Sequence, residues 1–159
     1  MPSPRLYDVN SGGTGGYTQN VAANATELTT NLAFLQDNYG SLLVTAHLYS
    51  WGFPAFDTDC TISGIDFRLL IHGEQTFPGY DTIPPVTVNA GVTLTFSAGV
   101  YIEIVNDAGE LGIVGTDDTS TIIVKEDNCV YQNYAGWWMA GTYTWDNVNN
   151  RWDPNPVTP

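Results

Sequence analysis

The chain has 159 residues, the size of one domain, with 17 Asp and Glu against 4 Lys and Arg and a formal net charge of -13. That balance excludes, as expected partners, DNA, RNA and anionic membrane surfaces, all of which are held chiefly by clusters of Lys and Arg. No apolar run approaches the length of a membrane span, and a composition 43% hydrophobic and 13% aromatic is that of a folded chain.

Residue types set the fold class. Val, Ile, Thr, Phe, Tyr and Trp total 61 residues, whereas Glu, Lys, Arg, Gln and Met total 15. Branched and aromatic side chains suit a pleated, half-buried surface, and the straight-chain residues that coat exposed helices are scarce, so an all-β domain is expected.

In chain order, the Met-Pro-Ser-Pro start lacks the charged head and apolar middle of a secretory signal, which predicts a cytoplasmic origin or a trimmed chain. Residues 1–23 hold Gly12, Gly13, Gly15 and Gly16 and no amphipathic period, the composition of a flexible arm. Such an arm buries too little apolar surface to order itself and gains structure only on a neighbour, which makes Tyr7 and Tyr17 candidate partner-binding residues. Residues 24–40 read as a short helix and connector. Leu28, Leu32 and Leu35 fall at i, i+4 and i+7, Asn24 and Glu27 have the spacing of a capping box, and Gly40 suits the C-terminal cap. Residues 41–153 form the β-domain and 154–159 a tail.

After Gly40 the period becomes two. A strand is predicted over 42–49, and Ile65, Phe67, Leu69 and Ile71 alternate with Asp66, Arg68 and Leu70 after a bulge candidate at Gly64. Val92, Leu94 and Phe96, then Val100, Ile102 and Ile104, alternate with Thr, Tyr and Glu on either side of a Ser-Ala-Gly turn, a hairpin signature. Further strands are predicted over 111–114, 121–125 and 129–134, each set off by a short turn. Short connections of this kind usually join antiparallel neighbours, so the expected architecture is an antiparallel β-sandwich or jelly roll with the arm and one short helix.

One stretch points elsewhere. Val86-Thr-Val-Asn-Ala-Gly-Val-Thr-Leu-Thr-Phe-Ser-Ala-Gly-Val-Tyr-Ile102, continued by Gly109-Glu-Leu-Gly-Ile-Val-Gly-Thr116 and Thr121-Ile-Ile-Val124, resembles the coils of right-handed parallel β-helix surface proteins. The resemblance covers residues 86–124 and implies a short β-solenoid as the alternative fold. A solenoid needs at least about three coils to bury a continuous core. Nothing outside this segment repeats the pattern, so the sandwich is the first expectation.

Residues able to carry chemistry are few. Cys60 and Cys129 fit neither a CxxC redox motif nor a four-ligand zinc site; they are a candidate disulfide, with two buried thiols as the other reading. Of the two histidines, His47 lies inside a predicted strand and His72 at a strand end, and no G-x-S-x-G, H-E-x-x-H or P-loop accompanies them, so no catalytic residue is expected and His47 reads as structural. Asp57 and Asp59, Asp117 and Asp118, and the run from Asp146 to Asn150 carry oxygen ligands of the kind Ca²⁺ takes, but none has EF-hand spacing, so no metal and no cofactor is expected.

The C-terminal region is rich in aromatics: Trp137, Trp138, Tyr143, Trp145 and Trp152. The Asp-Asn-Val-Asn-Asn turn predicts a hairpin that sets Trp145 near Trp152, and both are candidate partner-binding residues, with closure of the core as the blander reading.

With a glycine-rich arm, no signal and an acidic, Lys-poor β-domain, the chain resembles, at the level of class, phage virion accessory proteins. The resemblance implies a non-catalytic structural protein of the virion, a capsid decoration, head-fibre or tail component, whose partners are itself or other virion proteins. The alternative is an extracellular or cell-surface module that binds carbohydrate or serves adhesion, to which the tryptophans and Asn-rich turns point.

Overall fold

The computed structural model describes residues 9–10, 24–39, 45–50, 52–76, 78–79 and 82–156, and there the chain is largely β with one short helix, in three sheets. In chain order the elements are β1 (Val9–Asn10), α1 (Ala25–Asn38), β2 (Thr45–Leu48), β3 (Ala55–Phe56), β4 (Cys60–Ile62), β5 (Arg68–His72), β6 (Thr87–Val88) and β7 (Thr93–Phe96). They continue as β8 (Tyr101–Val105), β9 (Val114–Gly115), β10 (Thr121–Val124), β11 (Val130–Gln132), β12 (Gly136–Trp137), β13 (Gly141–Asp146) and β14 (Arg151–Asp153).

The helix forms where the Leu spacing places it. The Asn24 side chain accepts from the Glu27 N–H at 2.9 Å, and Ala25, Leu28, Asn31, Leu32 and Leu35 are buried on one stripe. The stripe packs against β4. Two polar ties hold its ends: Ala25 N–H donates to Asp57 at 3.2 Å, and Gln36 exchanges two bonds with Asp66 at 2.8 and 2.7 Å. The helix thereby covers one end of the β-domain. Gly40, the expected cap, lies outside the described residues.

The antiparallel sandwich is not what the strands form. β2, β5, β8 and β11 pair in parallel, as do β3, β6 and β9, and as do β4, β7 and β10. Each of three coils therefore contributes one strand to each of three sheets, and β11 begins a fourth, which is the geometry of a short β-solenoid. Short corners do not imply antiparallel pairing here, for a physical reason. Strands joined by a tight turn here enter different sheets, and the crossover a parallel pair needs is the rest of the coil. The expected hairpin between 92–96 and 100–104 is thus a corner: Leu94 lies beside Cys60 and Ile122, and Ile102 beside Leu69 and Val130.

Inward residues of successive coils stack into apolar columns: Ala46, Leu69, Ile102 and Val130 in one sheet, Ile62, Phe96 and Val124 in another, all almost fully buried. Each such Val, Leu, Ile or Phe side chain contributes about 1.5–3 kcal/mol relative to exposure, Ala46 less, and the columns belong to one core.

After β11 the chain turns back on itself. β12 runs antiparallel to β11, β13 antiparallel to β10, and β14 antiparallel to β13 with Trp145 opposite Trp152, the hairpin the turn sequence predicts. Its rings close the second end. Trp145 and Trp152 meet edge to face at 5.1 Å, Trp138 and Tyr143 at 5.3 Å, and the Trp152 indole N–H donates to the Ile113 carbonyl at 2.9 Å. Trp145 lies so close over Gly115 that a Cβ there would sit 2.5 Å from the Trp145 Cβ.

Two further expectations fall on this architecture. Cys60 and Cys129 are both buried free thiols, not a disulfide. Cys60 lies on the last strand of the first coil and Cys129 at the corner after the third, so a little over two strand spacings of roughly 4.8 Å separate their levels, beyond the roughly 7 Å Cα reach of a bridge. Of the arm, only Val9–Asn10 is described, as a strand antiparallel to β2 on the edge of the six-stranded sheet.

Candidate functional site

Four of the carboxylates weighed as oxygen ligands, Asp57, Asp59, Asp117 and Asp146, accept hydrogen bonds from nearby residues. Asp59 accepts from Thr93 N–H at 2.9 Å, one coil away, and Asp57 from the first turn of α1. Asp117 accepts from the N–H and hydroxyl of Thr119, and Asp146 from the N–H groups of Val148 and Asn149 and the Asn149 amide, bonds that hold both carboxyls below the usual range. The same device ties other corners: Thr76 N–H to Asp107 at 2.8 Å, Gly99 N–H to Glu126 at 3.1 Å and Leu111 N–H to Glu74 at 3.1 Å. Asn106 and Asn133 link their coils by two bonds, at 2.8 and 2.6 Å. Among the described residues no group of three or more His, Cys, Asp or Glu is placed to hold a metal ion, and no helix is long and apolar enough to cross a membrane.

The histidines sit side by side on the outer face of the six-stranded sheet. His47 Nδ1 lies 2.8 Å from His72 Nε2, and the His72 ring stacks on Tyr49 at 3.9 Å between centroids. Burial, and secondarily the proximity of His47, push the His72 pKa down to about 3. An imidazole so weakly basic accepts no proton near neutral pH and is a poor general base. Its Nδ1 is buried with no hydrogen-bond partner among the described residues.

Trp145 and Trp152, the candidate partner-binding residues of the C-terminus, are only 4% and 5% exposed and offer no open ring face. Tyr7 and Tyr17 lie outside the described residues. Other aromatic rings reach the surface: Tyr101 is exposed, and half-buried Trp137 and Tyr131 join it on the outer face of the six-stranded sheet. Tyr101 on β8, 41% exposed, lies beside Arg68 on β5, whose guanidinium stands 5.6 Å from the Tyr101 ring centroid and 3.2 Å from the Glu103 carboxylate. Trp137 meets Tyr101 edge to face at 5.8 Å and Tyr131 at 5.0 Å. These five side chains come from four strands, β5, β8, β11 and β12, brought together by parallel register and the last reversal of the chain. Alternation alone marks Arg68, Tyr101 and Glu103 as outward-facing. Their adjacency depends on coil lengths, which are unequal: Leu69 pairs with Ile102 and Ile102 with Val130, whereas the preceding coil runs only from Ala46 to Leu69.

Set against known proteins, the chain has no matching family model, no matching curated protein and no matching solved structure.

Proposed function

We propose that the chain is a non-catalytic structural protein of a virus particle, a capsid decoration, head-fibre or tail component. The observation that carries the reading is the use of chemistry-bearing groups as braces. Asp59, Asp107 and Glu126 each fasten one coil to the next, His72 is sealed in a ring stack, and Trp145 and Trp152 close the solenoid. A stack of coils braced in this way suits a passive, durable part. Assembly through the N-terminal arm draws support from the pairing of Val9–Asn10 along β2, since a sheet edge that takes a strand from its own chain offers the same pairing to a second copy.

The test is the protein content of particles purified from the cells that encode the chain. Mass spectrometry is expected to find the chain in the particle fraction, and deletion of residues 1–23 to remove it while circular dichroism still reports the β-domain. A chain confined to the particle-free fraction, or a truncated chain incorporated as well as the full one, overturns the reading.

A further inference from the structure

We propose that the outer face of the six-stranded sheet, centred on Tyr101 and Trp137, is a binding site for a neutral polysaccharide. The face carries three aromatic rings, Tyr101, Trp137 and Tyr131, in mutual contact at 5.8 and 5.0 Å, with an Arg68–Glu103 pair at their side. None of the three belongs to the core, and Tyr101 is substantially exposed. An outward sheet position is ordinarily polar, so a cluster of rings there has a use beyond packing.

Charge decides the class of ligand. The chain carries -13 and only four Lys and Arg, so a polyanion, nucleic acid included, is repelled by the molecule as a whole. An organic cation is attracted by the molecule as a whole, but the place it would take against the Tyr101 ring is already held by the Arg68 guanidinium at 5.6 Å. A purely apolar partner would strip water from Arg68 and Glu103 without replacing their hydrogen bonds, which is costly. A neutral polyhydroxylated chain meets all three conditions. Its C–H faces lie on the rings, and its hydroxyls accept from the guanidinium and donate to the carboxylate, the pairing of apolar walls with a few placed polar groups that small-molecule sites use. The rings are fixed by one another and the ion pair holds Arg68, so binding orders little that is not already ordered.

The proposal moves carbohydrate binding away from Trp145 and Trp152, and it stands or falls independently of the virion reading, because it rests on the sheet face alone. The experiment uses the full chain in affinity electrophoresis through gels containing dextran, galactomannan, soluble β-glucan or, as anionic comparison, heparin. Retardation is expected in at least one neutral gel, insensitive to salt, and weakened roughly tenfold or more in Trp137→Ala and in Tyr101→Ala. Tyr134→Ala, at a highly exposed turn residue outside the patch, is expected to bind like the parent chain. Thermal melts accompany each variant, and Trp137→Phe, which keeps a ring, is expected to retain part of the binding. Absence of retardation in every neutral gel overturns the proposal, as does retardation by heparin alone or neutral binding that survives both Ala variants. Sedimentation that shows a dimer broken by Tyr101→Ala assigns the face to a second copy of the chain and overturns it too.

Discussion

Replacing Trp145 by Ala is expected to loosen the end of the solenoid and to lower stability by about 3–5 kcal/mol, the range for large buried aromatics. The magnitude follows from its surroundings. Trp145 is 4% exposed, packs edge to face on Trp152, and lies directly over Gly115 of the last full coil. A ring of this kind buries about 150–250 Å², which at roughly 25 cal/mol per Å² is about 4–6 kcal/mol, an upper figure because the hairpin relaxes into part of the space. Trp152 loses its edge contact in the same change, so the two tryptophans are expected to be coupled and their truncations less than additive. Urea denaturation followed by far-UV circular dichroism measures the loss as a shift of the midpoint. A decrease below about 1 kcal/mol, the behaviour of an exposed side chain, refutes the assignment of Trp145 to the cap.

Three other perturbations test separate parts of the structure. Gly115→Ala drives a Cβ to 2.5 Å from the Trp145 Cβ and 2.9 Å from the Ser120 Cβ, so it is expected to lower stability by about 1–3 kcal/mol or more, read as a lower urea midpoint; an unchanged midpoint would mean the hairpin does not rest on β9. His72 has a native pKa near 3 against an unfolded value of 6.5, so between those pH values the unfolded chain binds a proton that the folded chain refuses. Its contribution is full above about pH 6.5 and is lost as pH falls toward 3, so the chain should be about 2–3 kcal/mol less stable near pH 4.5 than near pH 7. His72→Phe should flatten that part of the slope, and an equal slope in both chains would refute the buried, neutral imidazole. Cys60, with its thiol pushed up to about 11 by burial, and Cys129, also raised, should react with a thiol reagent only after unfolding; a protein found oxidised at these two sites would contradict the solenoid register.

Local features were legible in the sequence because their causes are local. Asn24 capping Glu27, the Leu stripe of α1, the two-residue period of Leu69 and Ile71, and the turn that sets Trp145 opposite Trp152 each follow from residues a few positions apart. All-β composition likewise settles that the chain makes sheets. It does not settle which strand lies beside which, since alternation records only inside and outside and is the same in a hairpin and in a solenoid coil. The coils differ in length and the second carries the excursion with the Gln75–Ile83 bridge, so the sequence shows no regular repeat. Only the tertiary structure decided the parallel register. That register in turn set Cys60 far from Cys129, turned Trp145 and Trp152 inward over the last coil, and gathered Arg68, Tyr101, Glu103, Tyr131 and Trp137 from four strands onto one face.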